Sequence, residues 1–166
     1  LTRTAVLAKQ FMYFKNAVHN SKPAQEYIQS RALDFTKLEI GYNTGQFHHG
    51  TRKAEALIQS CIQVGLLSIN DRLSRTGETA YKPFAKYCLV FALRNPHNQI
   101  ASLYFRSTIN DSDQRHFYLK DREGLYPKYP APDTTKLVLT ESIIDAATIQ
   151  QIPEISAHYS ILALYG

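Results

Sequence analysis

KLVLTESIIDAATIQQIPEISAHYSILALYG, from Lys136 to Gly166, is the stretch whose reading decides the fold. KLVLTE is a continuous apolar run of strand length, SIIDAATIQQI continues with helical spacing, IPEISAH is a short connector, and YSILALYG returns to an unbroken apolar run. Apolar strands that do not alternate with polar residues belong to sheets covered on both faces. A strand, a helix and a second such strand therefore predict a βαβ unit of a parallel sheet.

Upstream the pattern changes. GLYPKYPAPDTT, residues 124–135, packs three prolines into a short span and is a boundary or linker candidate. Before it, YCLVFALRN and NQIASLYFRST are two β-rich runs joined by NPHN, the signature of an antiparallel hairpin, and RHFYLK supplies a third strand. Residues 69–81 are polar and rich in turn formers. Residues 3–20 read as a helix through Val6, Phe11, Phe14 and Val18. PAQEYIQSRAL reads as a second helix, with Ser21 or Lys22 as its start, proline in its first turn and a stop near Asp34. KLEIGYNTGQF turns from a short strand into a loop, and RKAEALIQSCIQVGLL is a helix closed by Gly65. The predicted class is α+β: N-terminal helices with a small antiparallel sheet over residues 1–134, then a βαβ unit over 135–166.

Composition is that of a folded chain. Hydrophobic residues make up 44% and charged residues 20%, which argues against disorder. No run approaches the roughly 18 apolar residues of a bilayer crossing, and LTRTAVLAKQFMYF lacks a secretory pattern, so no membrane role and a cytoplasmic location are expected. Cys61 and Cys88 are too far from one another and from paired histidines to suggest a disulfide framework or a zinc site; both read as packing residues. The adjacent His48 and His49 cannot converge on one ion without other ligands. The net charge of +5 suits a polyanion partner, and basic residues interleave with aromatics in RTGETAYKPFAKY, LYFRS and RHFYLKDREGLYPKYP. Such interleaving lets cations meet phosphates while rings stack on bases; a solvated β-rich surface with half-buried tyrosines is the plainer alternative.

Glu141 stands at the C-terminal end of the first predicted parallel strand, where α/β sheets place their ligand sites, and Asp145 lies one turn into the next helix. Both carboxylates can face one crevice near a positive helix end. From spacing alone the plainer reading is favoured, that Thr140 or Ser142 caps the helix and the acids merely favour its N-terminus.

KLVLTESIIDAATI resembles the first motif of Toprim domains, in which a buried strand delivers E-G-x-x-D into a helix. Glu141 and Asp145 take the acidic positions, and Ser142 replaces the glycine. Toprim is shared by topoisomerases, nucleases and primases. QEYIQSRALDFTKLEIGYNTG is similar to the core segment of DnaG-type primases that reads Y-L-x-x-R-G followed by an I-G-Y strand, with Arg31 on the arginine and Ala32 in place of the usual glycine. LVFALRNPHNQIASLYFRS resembles the hairpin ending F-G-G-R in that family and puts Arg106 on its arginine. HFYLKDREGLYPKYP occupies the P-K-Y-L-N-S region, where Phe117 falls on the first lysine and Lys120 or Lys128 could supply substitute charge.

The resemblance, spanning residues 24–166, implies a divergent DnaG-type DNA primase of mobile-element character, with a Toprim α/β sheet beginning at its C-terminal end. It implies Glu141 and Asp145 as catalytic and metal-holding groups for Mg²⁺ or Mn²⁺. Arg31, Arg106, Lys120 and Lys128 would hold single-stranded DNA template or incoming NTPs. The further D-x-D motif of Toprim domains is not within these residues, so a truncated or proteolytic piece without primer synthesis of its own is expected. The zinc-binding domain and any contact with a replicative helicase would lie outside it. A noncatalytic nucleic-acid-binding module, or a Toprim enzyme of nuclease or topoisomerase type, remain the alternatives.

Overall fold

A computed structural model of the chain describes residues 1–46, 54–109 and 113–164. His48, His49, the first residues of the RKAEALIQS run and Gly166 lie outside the described residues. In chain order the elements are α1 (Arg3–Val18), α2 (Lys22–Ser30), β1 (Gly41–Asn43), α3 (Glu55–Val64), β2 (Leu67–Ile69), β3 (Tyr81–Pro83), β4 (Cys88–Arg94), β5 (Ile100–Ser107), β6 (His116–Tyr118), β7 (Leu137–Thr140), α4 (Ile143–Gln150), α5 (Pro153–Ser156) and β8 (Ser160–Ala163).

Local chemistry sets most of these boundaries. Thr2 caps α1 by accepting from the Ala5 amide, and Ser21 caps α2 by accepting from the Ala24 amide, each at 3.3 Å. Gly65, at φ 91°, closes α3 in the left-handed conformation that glycine adopts without a Cβ penalty. The NPHN turn is held by the Asn95 side chain, which accepts from the His97 and Gln99 amides at 3.0 Å.

The hairpin β4–β5 and strand β6 form the predicted antiparallel sheet, and β1 adds on the other side to give the order β1-β4-β5-β6. This sheet is covered on both faces. Cys88, Val90, Leu103 and Phe105 meet α1 and α3, while Leu89, Phe91, Leu93 and Tyr104 meet α2, α4 and β8. Strand period two sends successive residues to the two layers. The central sheet is therefore not the solvated surface that its tyrosines and arginine allowed. In LYFRS, Leu103 and Phe105 enter one core, and Tyr104 and Arg106, also buried, lie on the other side.

β7 and β8 pair in parallel across α4, the predicted βαβ unit. α4 shares its core with the antiparallel sheet, since Ile143, Ile144, Ala146 and Ala147 pack in one cluster with Phe91 and Tyr104. β7 is not buried on both faces as its composition led us to expect. Leu137 and Leu139 are 45% and 51% exposed, because among the described residues a helix covers only the opposite face of this two-stranded sheet. Two further details differ from expectation. The polar 69–81 segment is bracketed by a short hairpin, β2 with β3. Within the proline-rich stretch, Tyr126 is buried edge-on against Phe91 and its hydroxyl donates to Gln150 Oε1 at 3.2 Å, anchoring that segment to α4.

Candidate nucleic-acid and nucleotidyl-transfer site

The parallel register runs from Leu137 opposite Ser160 to Thr140 opposite Ala163, so β7 and β8 end at the same edge. Glu141 follows the last residue of β7 there. Thr140 Oγ1 donates to the Ser142 carbonyl at 2.8 Å and Ser142 Oγ accepts from the Asp145 amide at 3.0 Å, which fixes the strand-to-helix turn. Capping falls to Ser142 and leaves both acids uncommitted. Glu141 and Asp145 are exposed, and neither belongs to an ion pair among the described residues. They lie beside the positive end of α4. Two solvent-facing carboxylates are hard oxygen donors of the kind that suit Mg²⁺ or Mn²⁺ with water completing an octahedral shell. They are not a full ligand set, since no group of three or more His, Cys, Asp or Glu side chains gathers among the described residues.

Arg106 is 8% exposed on the α2 side of the sheet. Its Nε donates to Tyr27 Oη at 3.1 Å, and its Nη1 lies 3.2 Å from Nε2 of His116, the residue opposite it on β6. His116 Nδ1 is 2.6 Å from Tyr104 Oη. Arg31 is exposed at the C-terminal cap of α2, with its guanidinium over the Tyr27 ring. Tyr27 thus brings Arg31 and Arg106 into one cluster. The next residue, Ala32, adopts φ 54°, a left-handed conformation at the helix end that gives a physical reason for glycine there in the primase pattern.

The two lysines lie elsewhere. Lys120 lines an apolar groove on the α3 side with Gly65, Leu67, Phe84 and Phe117, so it does neighbour the position where the primase pattern has lysine. Lys128 lines a polar cleft of about 320 Å³ with Lys37, Arg94 and Gln150. In that cleft burial pushes the Glu39 carboxyl up, but hydrogen bonds and charge from Arg94, at 2.7 Å, and Lys15, at 3.3 Å, outweigh it and hold the group below the usual carboxylate range. Burial pushes the imidazole of His116 down, and the charges of Arg106, Arg115 and Arg31 push it the same way. Sequence reading passed over Tyr27, Tyr104 and His116. The signal lay in the β5–β6 register, which sets His116 opposite Arg106 and becomes legible only once the strands are aligned.

Neither a family model nor a curated protein sequence matches the chain. Solved structures do. The catalytic core of the E. coli primase superposes with a TM-score of 0.73 at 17% identity, covering 99% of this chain and 55% of that one. A DnaG primase catalytic domain bound to single-stranded DNA gives 0.73 at 17% identity, with the same coverages of 99% and 55%. The zinc-binding and RNA polymerase domains of the Aquifex aeolicus primase give 0.76 at 17% identity, covering 99% of this chain and 42% of that one. The chain spans about half the length of these structures. Over nearly all of its length, this chain has the fold of the corresponding part, about half, of a DnaG-type primase catalytic core.

Proposed function

We propose that the chain is part of a DnaG-type DNA primase, a cytoplasmic nucleotidyltransferase that makes RNA primers on single-stranded DNA, and that its own residues hold the template and present the first two acidic groups. The observation that carries this reading is the shared fold across 99% of the chain, with E-S-x-x-D at the end of its first parallel strand. The Toprim resemblance and the position of Glu141 and Asp145 at the common edge of β7 and β8 agree with it. Divisions at residues 134 and 135 would then separate a basic template-holding part from the start of a Toprim sheet.

Primer synthesis is attack of a 3′-hydroxyl on an α-phosphate. Bound Mg²⁺ or Mn²⁺ supplies charge neutralisation for such displacements. Glu141 and Asp145 would hold the ion or orient the attacking group; Ser142, by capping α4, fixes the turn between Glu141 at the strand end and Asp145 in the first turn of the helix. Arg31 and Arg106 would meet phosphate oxygens while Tyr27 offers a ring between them. Lys120 and Lys128, on separate surfaces, would extend the track for template or NTP phosphates. The test is Glu141→Gln in the full-length protein, assayed for template-dependent oligoribonucleotide synthesis with NTPs and Mg²⁺ or Mn²⁺. The expected result is loss of synthesis by about a hundredfold or more with single-strand binding retained. A folded wild-type protein that binds single strands but makes no oligonucleotide would point instead to a noncatalytic binding module.

A further inference from the structure

Arg106 is a buried cation for which no carboxylate partner exists among the described residues. Arginine keeps its charge and offers only N–H donors, and burying it is costly unless those donors are met. Among the described residues two of its five are met, by Tyr27 Oη at 3.1 Å and His116 Nε2 at 3.2 Å. Because Arg106 can only donate, Nε2 must accept, so the ring proton sits on Nδ1 and is donated to Tyr104 Oη at 2.6 Å. The imidazole also stacks on the Tyr104 ring, with centroids 5.9 Å apart and planes 22° from parallel. The chain Tyr104–His116–Arg106–Tyr27 is complete only with a neutral imidazole. Protonation would set an N–H of His116 against an N–H of Arg106.

We infer that His116 is a positioning residue: neutral and protonated on Nδ1, it fixes the Arg106 guanidinium so that its remaining donors meet a phosphate oxygen of the bound nucleic acid or nucleotide. This rests on the nucleic-acid reading above. Among the described residues the groups that act on His116 are Tyr104 and Arg106 from β5, Arg115 beside it in sequence, and Arg31 from the end of α2; none of these is an acid. Although His116 as a residue is exposed, both ring nitrogens are turned to protein partners. Desolvation and the charges of Arg106, Arg115 and Arg31 all disfavour the protonated ring.

The test uses the full chain and two probes, a fluorescent oligothymidylate and ATP, which tell a template phosphate from a nucleotide phosphate. In the free protein, ¹⁵N NMR at pH 7.5 should find His116 protonated on Nδ1 alone. Wild-type binding of at least one probe should weaken as pH falls below the ordinary histidine value of about 6.5. His116→Phe should weaken binding about tenfold at pH 7.5, the loss of one hydrogen bond to a charged group. His116→Gln, which can present an acceptor to Arg106 and does not titrate, should bind within about twofold of wild type. It should also lose the acid-side decline. A proton on Nε2, unchanged binding by His116→Phe, or binding that tightens with acid in wild type but not in His116→Gln would overturn the inference. If wild type binds neither probe, the nucleic-acid reading fails with it; if Arg106→Ala weakens binding and His116→Phe does not, only the positioning role of His116 fails.

Discussion

Gly41, the glycine of the I-G-Y strand, lies where β1 meets the helix α1. A Cβ built on Gly41 would stand 2.7 Å from Phe14 Cβ, 3.1 Å from the Phe14 carbonyl carbon and 3.3 Å from the Lys15 amide nitrogen. Ordinary van der Waals contact begins at 3.4 Å, so Gly41→Ala requires the strand and helix to part by about 0.7 Å. Neither can do so freely. β1 is tied to β4 with Gly41 opposite Val90, and α1 is held by Phe14, fully buried and edge-on to Phe105 at 6.4 Å. The obstacle is backbone and a Cβ rather than a flexible side-chain end, so the cost belongs at the upper end of overpacking, about 2–3 kcal/mol. For a chain of this size that lowers Tm by about 5–10 °C. Gly77→Ala is the control: nothing lies within 4 Å of its Cβ position, and only its φ of 80° penalises alanine, by about 1 kcal/mol. Urea unfolding followed by far-UV circular dichroism measures both. If Gly41→Ala costs no more than Gly77→Ala, the argument that a glycine is needed here for close approach is wrong.

Ala32→Gly should stabilise the chain by about 0.5 kcal/mol, because relief of the left-handed conformation at φ 54° exceeds the extra freedom glycine has when unfolded; denaturant midpoints decide it. Arg106→Ala should lower the slope of log affinity against log salt for single-stranded DNA by about 0.7, the share of one phosphate contact, and an unchanged slope would remove Arg106 from those contacts. Acid should weaken the Glu39 ion pairs. Since the folded-state carboxyl titrates below its unfolded value, the contribution is present above the ordinary carboxylate range and is lost as pH falls through the folded-state value. Stability measured between pH 6 and pH 2 should therefore fall less steeply in Glu39→Gln than in wild type.

The sequence by itself determined the elements whose signals are local. Helical spacing gave α1 and α3, Ser21 with Pro23 marked the start of α2, and two apolar runs around NPHN gave the hairpin. The unalternating runs about SIIDAATIQQI gave the parallel unit that carries Glu141 and Asp145. These depend on periodicity and caps a few residues long, which no distant contact needs to supply. Tertiary structure decided what depends on register and layering. It put both faces of β4 and β5 in the core, buried Tyr104 and Arg106 of a stretch that composition alone could leave in solvent, and left one face of β7 open. It also divided the four candidate basic residues among three surfaces, joining Arg31 to Arg106 through Tyr27 while sending Lys120 and Lys128 to separate clefts. The pairing of Arg106 with His116 spans ten residues of sequence and exists only because β5 and β6 align in one register. A one-residue slip would turn either side chain to the opposite face of the sheet.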